Sequence, residues 1–179
     1  AQRLPEHPAI CAEAGRISYA ELLDRAADTG DRLERSLGNR RIVAIYADLA
    51  PDTVIALLAA SRAKAVAVLL DRSHPADFTA SVLQETAPAL VLESDGGAPS
   101  ITQTGLVRPP VREEAGIRDL ENVAAIVWTS GSTGRPKGVA ISERGLMRDA
   151  QDRIRAYNLS PRDRVAWTSS PSYAGSIQD

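Results

Sequence analysis

Hydrophobic and polar positions follow one another along the chain in two rhythms, one of helical period and one of short unbroken apolar runs. After a short polar lead, Ser18-Tyr19-Ala20-Glu21 has the form of a capping box, in which the Ser and Glu side chains satisfy each other's orphan backbone N–H groups. A helix is expected to follow, because Leu22, Leu23, Ala26, Gly30, Leu33 and Leu37 fall on one stripe at helical spacing. Gly38-Asn39 ends it, and Ile42-Val43-Ala44-Ile45-Tyr46 is short and β-rich, as a buried strand would be. Pro51 sits where a first helical turn tolerates proline. The segment from Asp52 to about Ala63 is apolar nearly all round, which predicts a helix buried between layers. Ala65 to Leu70 predicts a second buried strand, Asp71 to Pro75 a turn, Ala76 to Thr86 a helix closed by Pro88, and Ala89 to Leu92 a third strand.

From Glu93 to about Ile117, Gly, Pro, Ser, Thr and charges without periodicity predict a long surface connection. Val123 to Trp128 predicts a fourth strand, Val139 to Ile141 a fifth and Val165 to Thr168 a sixth. Between the last two, Ser142 caps a helix with Leu146, Ala150, Ile154 and Tyr157 on one face. Apolar strands alternating with helices predict an α/β fold: a layered, mostly parallel sheet flanked by helices on both faces.

Composition narrows the class. A length of 179 residues fits one domain or one large lobe. With 44% apolar, 25% charged and only 4% aromatic residues, the core must be built from Ala, Val, Leu and Ile. A net charge of -2 with no basic run argues against nucleic acid as a partner. Cys11 is the only cysteine, which excludes an intrachain disulfide and a cysteine-based metal cluster; it reads as a small apolar filler. His7 and His74 lie in polar, Pro-flanked stretches, are too few for a metal site and are expected at the surface. Trp128 and Trp167 each fall in a predicted strand and are expected in the core. The longest apolar stretch, around Val54 to Leu70, is broken by Arg62 and Lys64, so no membrane span is expected. No secretory signal opens the chain, and a cytoplasmic setting follows. The chain opens without Met and closes at Asp179 inside a patterned segment, which suggests a piece of a longer polypeptide.

The segment that carries chemistry is Thr129-Ser130-Gly131-Ser132-Thr133-Gly134-Arg135-Pro136-Lys137-Gly138, expected as a loop between two strands. Its glycines let the backbone approach a ligand closely. Its hydroxyls add short donors, and successive N–H groups can form an anion-binding nest. Lys137, one of two lysines in an otherwise arginine-based complement, supplies a point charge for phosphate oxygens. By composition alone such a stretch also suits a flexible linker. Its place between strands and its Pro136-Lys137-Gly138 ending favour a polyphosphate site. The nucleoside-triphosphate P-loop does not fit, because Pro136 stands where it needs Gly and Gly138 where it needs Ser or Thr. Neither a dinucleotide G-x-G-x-x-G pattern nor a G-x-S-x-G serine elbow occurs.

This ten-residue segment resembles in full the signature of the adenylate-forming superfamily, which includes acyl-CoA synthetases, firefly luciferase and the adenylation domains of nonribosomal peptide synthetases. Ile17-Ser18-Tyr19-Ala20-Glu21-Leu22 resembles the early L-T-Y-x-E-L motif of those proteins. Ser61 to Pro75 resembles a degraded L-K-A-G-x-A-Y-V-P-L-D-P segment, with Ala63, Val68, Asp71 and Pro75 in register. The peptide-synthetase branch is the nearest.

What the resemblance implies is a partial N-terminal adenylation (AMP-binding) subdomain over residues 1–179, without the C-terminal lobe. It implies a reaction in which a carboxylate attacks the α-phosphorus of ATP, pyrophosphate leaves, and a thiol takes the acyl group from the acyl-adenylate. Ser130, Gly131, Ser132, Thr133, Gly134 and Lys137 would hold the β- and γ-phosphates, with Thr129 and Gly138 completing the nucleotide-binding set. Lys137 would stabilise the phosphate charge, and Lys137 and Thr133 should matter most on mutation. ATP and Mg2+ are implied only for the complete enzyme, and no metal ligand is assigned to this chain. The implied partners are the remainder of the adenylation domain, in cis or as a separate chain, a carboxylic acid, and the phosphopantetheine thiol of a carrier protein or CoA. Nucleic acid and membrane are not among them.

Three departures qualify the resemblance. Lys64 stands where the family pattern has glycine, and Leu69 and Arg72 where it has proline. In Ser172-Tyr173-Ala174-Gly175-Ser176, the family's Ser-Phe-Asp-x-Ser, Ala174 replaces the aspartate that pairs with an α-ammonium. A methyl group leaves a buried ammonium uncompensated, so in this register a pocket marked by Tyr173 and Ala174 either does not serve an ordinary α-amino acid or is unused; a shifted register would make Asp179 the relevant carboxylate instead. The adenine-binding, ribose-binding and catalytic-lysine segments of the family have no counterpart here, and such chemistry needs groups from several segments to converge. The isolated chain is therefore expected to be inactive or nearly so. Two other readings stay open: a non-catalytic, truncated adenylation-like scaffold, and a fragment of an acyl- or aryl-CoA ligase.

Overall fold

A computed structural model describes residues 4–13, 15–94, 99–106, 122–130 and 136–172. The chain opens with an antiparallel hairpin, β1 (Pro8–Ala12) and β2 (Gly15–Ser18), that the polar lead does not announce. Cys11 is exposed on β1 rather than filling a core. Ser18 then caps α1 (Tyr19–Leu37), its hydroxyl accepting from the Glu21 N–H at 3.1 Å. Only this half of the predicted box forms, because the Glu21 carboxylate pairs with Arg25 one turn on. The buried stripe of α1 is Leu22, Ala26, Thr29, Gly30, Leu33 and Leu37, while Leu23 faces solvent.

β3 (Ile42–Tyr46), α2 (Pro51–Arg62), β4 (Val66–Leu70), α3 (Ala76–Thr86) and β5 (Leu90–Glu93) follow within a residue or so of the expected limits. Proline begins α2, and Thr53 anchors the turn before it, its hydroxyl donating to the Asp48 carbonyl at 2.7 Å and accepting from the Asp48 N–H at 3.0 Å. The all-round burial expected of α2 is not met, since Leu58 is exposed. Every residue of β4 is buried, and Ile42 to Ile45 of β3 are too, as strands covered on both faces should be.

The second half departs more from expectation. The predicted surface connection contains β6 (Ser100–Gln103), paired antiparallel with β5. Its single apolar residue, Ile101, gives no readable period. β7 (Val123–Ser130) and β8 (Pro136–Ser142) pair antiparallel, and both run further toward each other than expected. Ser142 caps α4 (Glu143–Ala156) through the Gly145 N–H at 3.0 Å. Val165 to Thr168 form no strand, so Trp167 is not a strand residue and is only half-buried.

Among the described residues the main sheet has the order β6-β5-β3-β4-β7-β8, with β5, β3, β4 and β7 parallel and an antiparallel strand at each edge. One core, on the face of α1 and α2, joins Leu33 and Ala59 to Val43, Ile45, Leu69 and Val127. The opposite core, on the face of α3, joins Val82 to Ala44, Val68, Ile126 and Trp128. The layered arrangement with helices on both faces is as the apolar pattern predicts, and no described helix is long and apolar enough to cross a membrane.

Candidate active site

The carboxyl ends of β3 and β4 part company: β3 leads to α2 on one face of the sheet and β4 to α3 on the other. A crevice at such a divergence is where open α/β sheets bind ligands. Its rim is polar. Arg72 lies over the Tyr46 ring at 4.8 Å and approaches Asp48 at 3.8 Å and Glu93 at 3.9 Å. All three charged side chains are about half-exposed, so each pair contributes at most about 1 kcal/mol.

Asp71, the residue after β4, is held far more tightly. Its Oδ1 accepts from the Ser73 N–H at 2.8 Å and the Ser73 hydroxyl at 2.6 Å. Its Oδ2 accepts from Ser170 at 2.5 Å and Ser172 at 3.1 Å, across 99 and 101 residues of sequence. Burial opposes the charge, but the hydrogen bonds from Ser170, from Ser73 and from Ser172 outweigh it and hold the carboxyl well below the usual carboxylate range. Sequence reasoning placed Asp71 in a motif but gave it no role; serines so distant leave no local signal.

The signature segment emerges beside this crevice. β7 lies next to β4 with Ala67 beside Ala125 and Val68 beside Ile126; carried forward, that register sets Thr129 level with Asp71. Thr129 and Ser130 are the last residues of β7, and Lys137 and Gly138 belong to β8 rather than to a loop. Lys137 is the register partner of Thr129, whose hydroxyl is 3.4 Å from the Lys137 carbonyl, and its side chain is exposed. Gly131, Ser132, Thr133 and Gly134 lie outside the described residues, as do Tyr173 and Ala174.

Gly138 has a packing role that its reading as a phosphate contact missed. It is the register partner of Trp128, and a Cβ there would meet Ile126 Cγ2 at 3.1 Å and Trp128 Cζ2 at 3.2 Å. The indole thus covers the strand at the one residue without a side chain. Its Nε1 is buried without a partner among the described residues. His7 is exposed as expected, whereas His74 is half-buried, its ring 4.6 Å from that of Phe78. No group of three or more His, Cys, Asp or Glu stands together among the described residues in a way that could hold a metal ion.

Comparison with known proteins adds to this geometry. The model of a family described as AMP-binding enzyme matches residues 1–177. The chain is 31% identical over 190 residues to malformin synthetase mlfA of Aspergillus brasiliensis, an alignment covering 99% of this chain and 4% of that protein. It is 30% identical over 195 residues to the nonribosomal peptide synthetase rstn8 of Penicillium ochrochloron, covering 98% of this chain and 10% of that one. Among solved structures it is similar to the NpsA N-terminal subdomain of Klebsiella oxytoca in complex with 3-hydroxybenzoyl-AMSN. That match has a TM-score of 0.78 and 26% identity, and covers 99% of this chain and 47% of that one. The chain therefore spans about half the length of that structure and a small part of the synthetases.

Proposed function

The chain belongs to the AMP-binding enzyme family, and from that premise we propose that it is the first part of an adenylation domain that activates a carboxylic acid with ATP. The observation that carries this reading is the delivery of the signature segment, by Thr129 and Ser130 on β7 and Lys137 on β8, to the carboxyl end of a parallel sheet. In the reaction a carboxylate oxygen of the acid bonds to the α-phosphorus of ATP while the bond to the leaving pyrophosphate breaks. Negative charge grows on the pyrophosphate, and Lys137 with the hydroxyls and N–H groups of residues 129 to 134 is the donor set suited to stabilise it. Magnesium, entering with the nucleotide, would share that charge. The acyl group then passes to a thiol of a carrier protein or of CoA.

The acid is one without an α-ammonium. Ala174 gives no anion to pair with such a group, and a 3-hydroxybenzoyl moiety, as in the NpsA complex, has no amine to pair. The remainder of the domain is the partner that completes the site. The apolar face of α4 supports this, with Ile154 51% and Tyr157 72% exposed. So does an open groove of about 710 Å³ lined by Ile10, Leu22, Val54, Leu57, Val165 and Trp167.

Acid-dependent pyrophosphate exchange by the complete protein tests the reading. Lys137→Ala should lower it about 100-fold, the scale of losing one preorganised charge stabiliser. Full exchange by that variant would sink the phosphate role. Exchange driven by ordinary amino acids and not by aryl or aliphatic acids would sink the assignment of the acid.

A further inference from the structure

Residues 161–170 run without helix or strand from α4 back to the sheet, and reach it at Asp71. Pro171 and Ser172 are buried there, Ser172 to 7% exposure, and the Ser170 and Ser172 hydroxyls stand 2.9 Å apart on one carboxylate oxygen. The two oxygens divide the work. Oδ1 is held by Ser73, two residues on, which fixes the carboxylate; Oδ2 is left to the distant serines. Four donors fill the roughly four acceptor sites of a carboxylate, so Asp71 has no lone pair left for moving a substrate proton. Its chemistry is that of a holder. What it holds is the stem of the segment that continues into Tyr173 and Ala174, and β4 sets that stem beside β7, which carries Thr129 and Ser130.

We propose that Asp71 is a positioning residue for acid binding, tying to the sheet, at Ser170 and Ser172, the stem that leads in sequence into Tyr173 and Ala174. This rests on the adenylation reading above. The tie does not touch Thr129 and Ser130 of β7 or Lys137 of β8, whereas Ser170 and Ser172 lead in sequence straight into Tyr173 and Ala174. Loss of the tie should therefore weaken the acid and spare the nucleotide, since a displacement of about 1 Å at a positioned group costs up to 100-fold.

Pyrophosphate exchange by the complete enzyme, titrated separately in acid and in ATP, is the test, on Asp71→Leu, Asp71→Asn and the double variant Ser170→Ala with Ser172→Ala. The double variant leaves Asp71 and its Ser73 bonds in place and guards against misfolding of the first. KM for the acid should rise about 10-fold or more in Asp71→Leu and in the double variant, with KM for ATP within about twofold. Asp71→Asn should fall between, because one amide oxygen still accepts. An unchanged acid KM, or acid and ATP constants rising together, overturns the proposal. Hydrogen exchange reads the tie without turnover: residues 169–172 should lose protection in the double variant, and unaltered protection also overturns it. If the unaltered enzyme exchanges no pyrophosphate with any acid, it is the adenylation reading that fails, and a protection loss would then leave Asp71 with a structural tie and no role in acid binding.

Discussion

Lys64 occupies a left-handed backbone conformation, with φ of 52°, at the junction between α2 and β4. A side chain in that region costs about 1–2 kcal/mol through its Cβ. The family pattern has glycine here, so what reads in sequence as loss of a motif residue is, in the fold, a strained turn that the flanking core tolerates. Lys64→Gly is expected to raise stability by about 0.5–1 kcal/mol, the released strain being partly offset by the greater freedom of glycine in the unfolded chain. Urea unfolding of the two proteins checks it, and a loss of stability would contradict the strain. Asp71 gives a second expectation, in pH. Its folded carboxyl titrates below the ordinary range, so its contribution is complete above the unfolded pKa of roughly 4 and is lost as pH falls below that. Melting temperatures from pH 6 to pH 2 should fall more steeply for the wild type than for Asp71→Asn. Parallel curves would mean that the four donors do not favour the charged form.

Elements differ in how openly the sequence declares them. β3 and β4 are legible as apolar runs, and α3 as a segment bounded by Pro75 and Pro88, punctuation that acts through local sterics. The hairpin, β6 and the first half of β8 are not legible, because an edge strand keeps one side in water and is defined by a partner elsewhere in the chain. Val165 to Thr168 fail in the opposite sense, apolar enough for a strand but forming none. The candidate site was half legible: Lys137 and Thr129 through their motif, and Asp71 with Ser170 and Ser172 only through the fold. Gly138 shows how a motif residue can carry a packing demand. Gly138→Ala pushes a methyl group into Trp128 and Ile126 and should destabilise by about 1–3 kcal/mol with a shift in tryptophan emission. A neutral result would mean that the indole has room to move.

On the scale of the molecule, the sheet has a finished side and an open one. β3 and β4 are sealed between two cores, whereas α4, beyond the edge strand β8, buries none of its residues, although Leu146, Ala150, Ile154 and Tyr157 line one of its faces. An amphipathic helix derives most of its stability from packing that face, so one left in water lacks that support. The adenylation reading supplies the cover, since the chain spans 47% of the NpsA chain it resembles and its remainder is the proposed partner. A charge placed on this face then separates the cases. In the complete protein, Ile154→Lys should cost about 3–5 kcal/mol, the scale of burying an unpaired charge, and should reduce pyrophosphate exchange with it. Arg148→Gln on the opposite face, where the side chain is 84% exposed, should change stability by no more than about 0.5 kcal/mol. Equal and small effects of the two substitutions on the melting temperature would leave the α4 face in water and remove the support it lends to a completing partner.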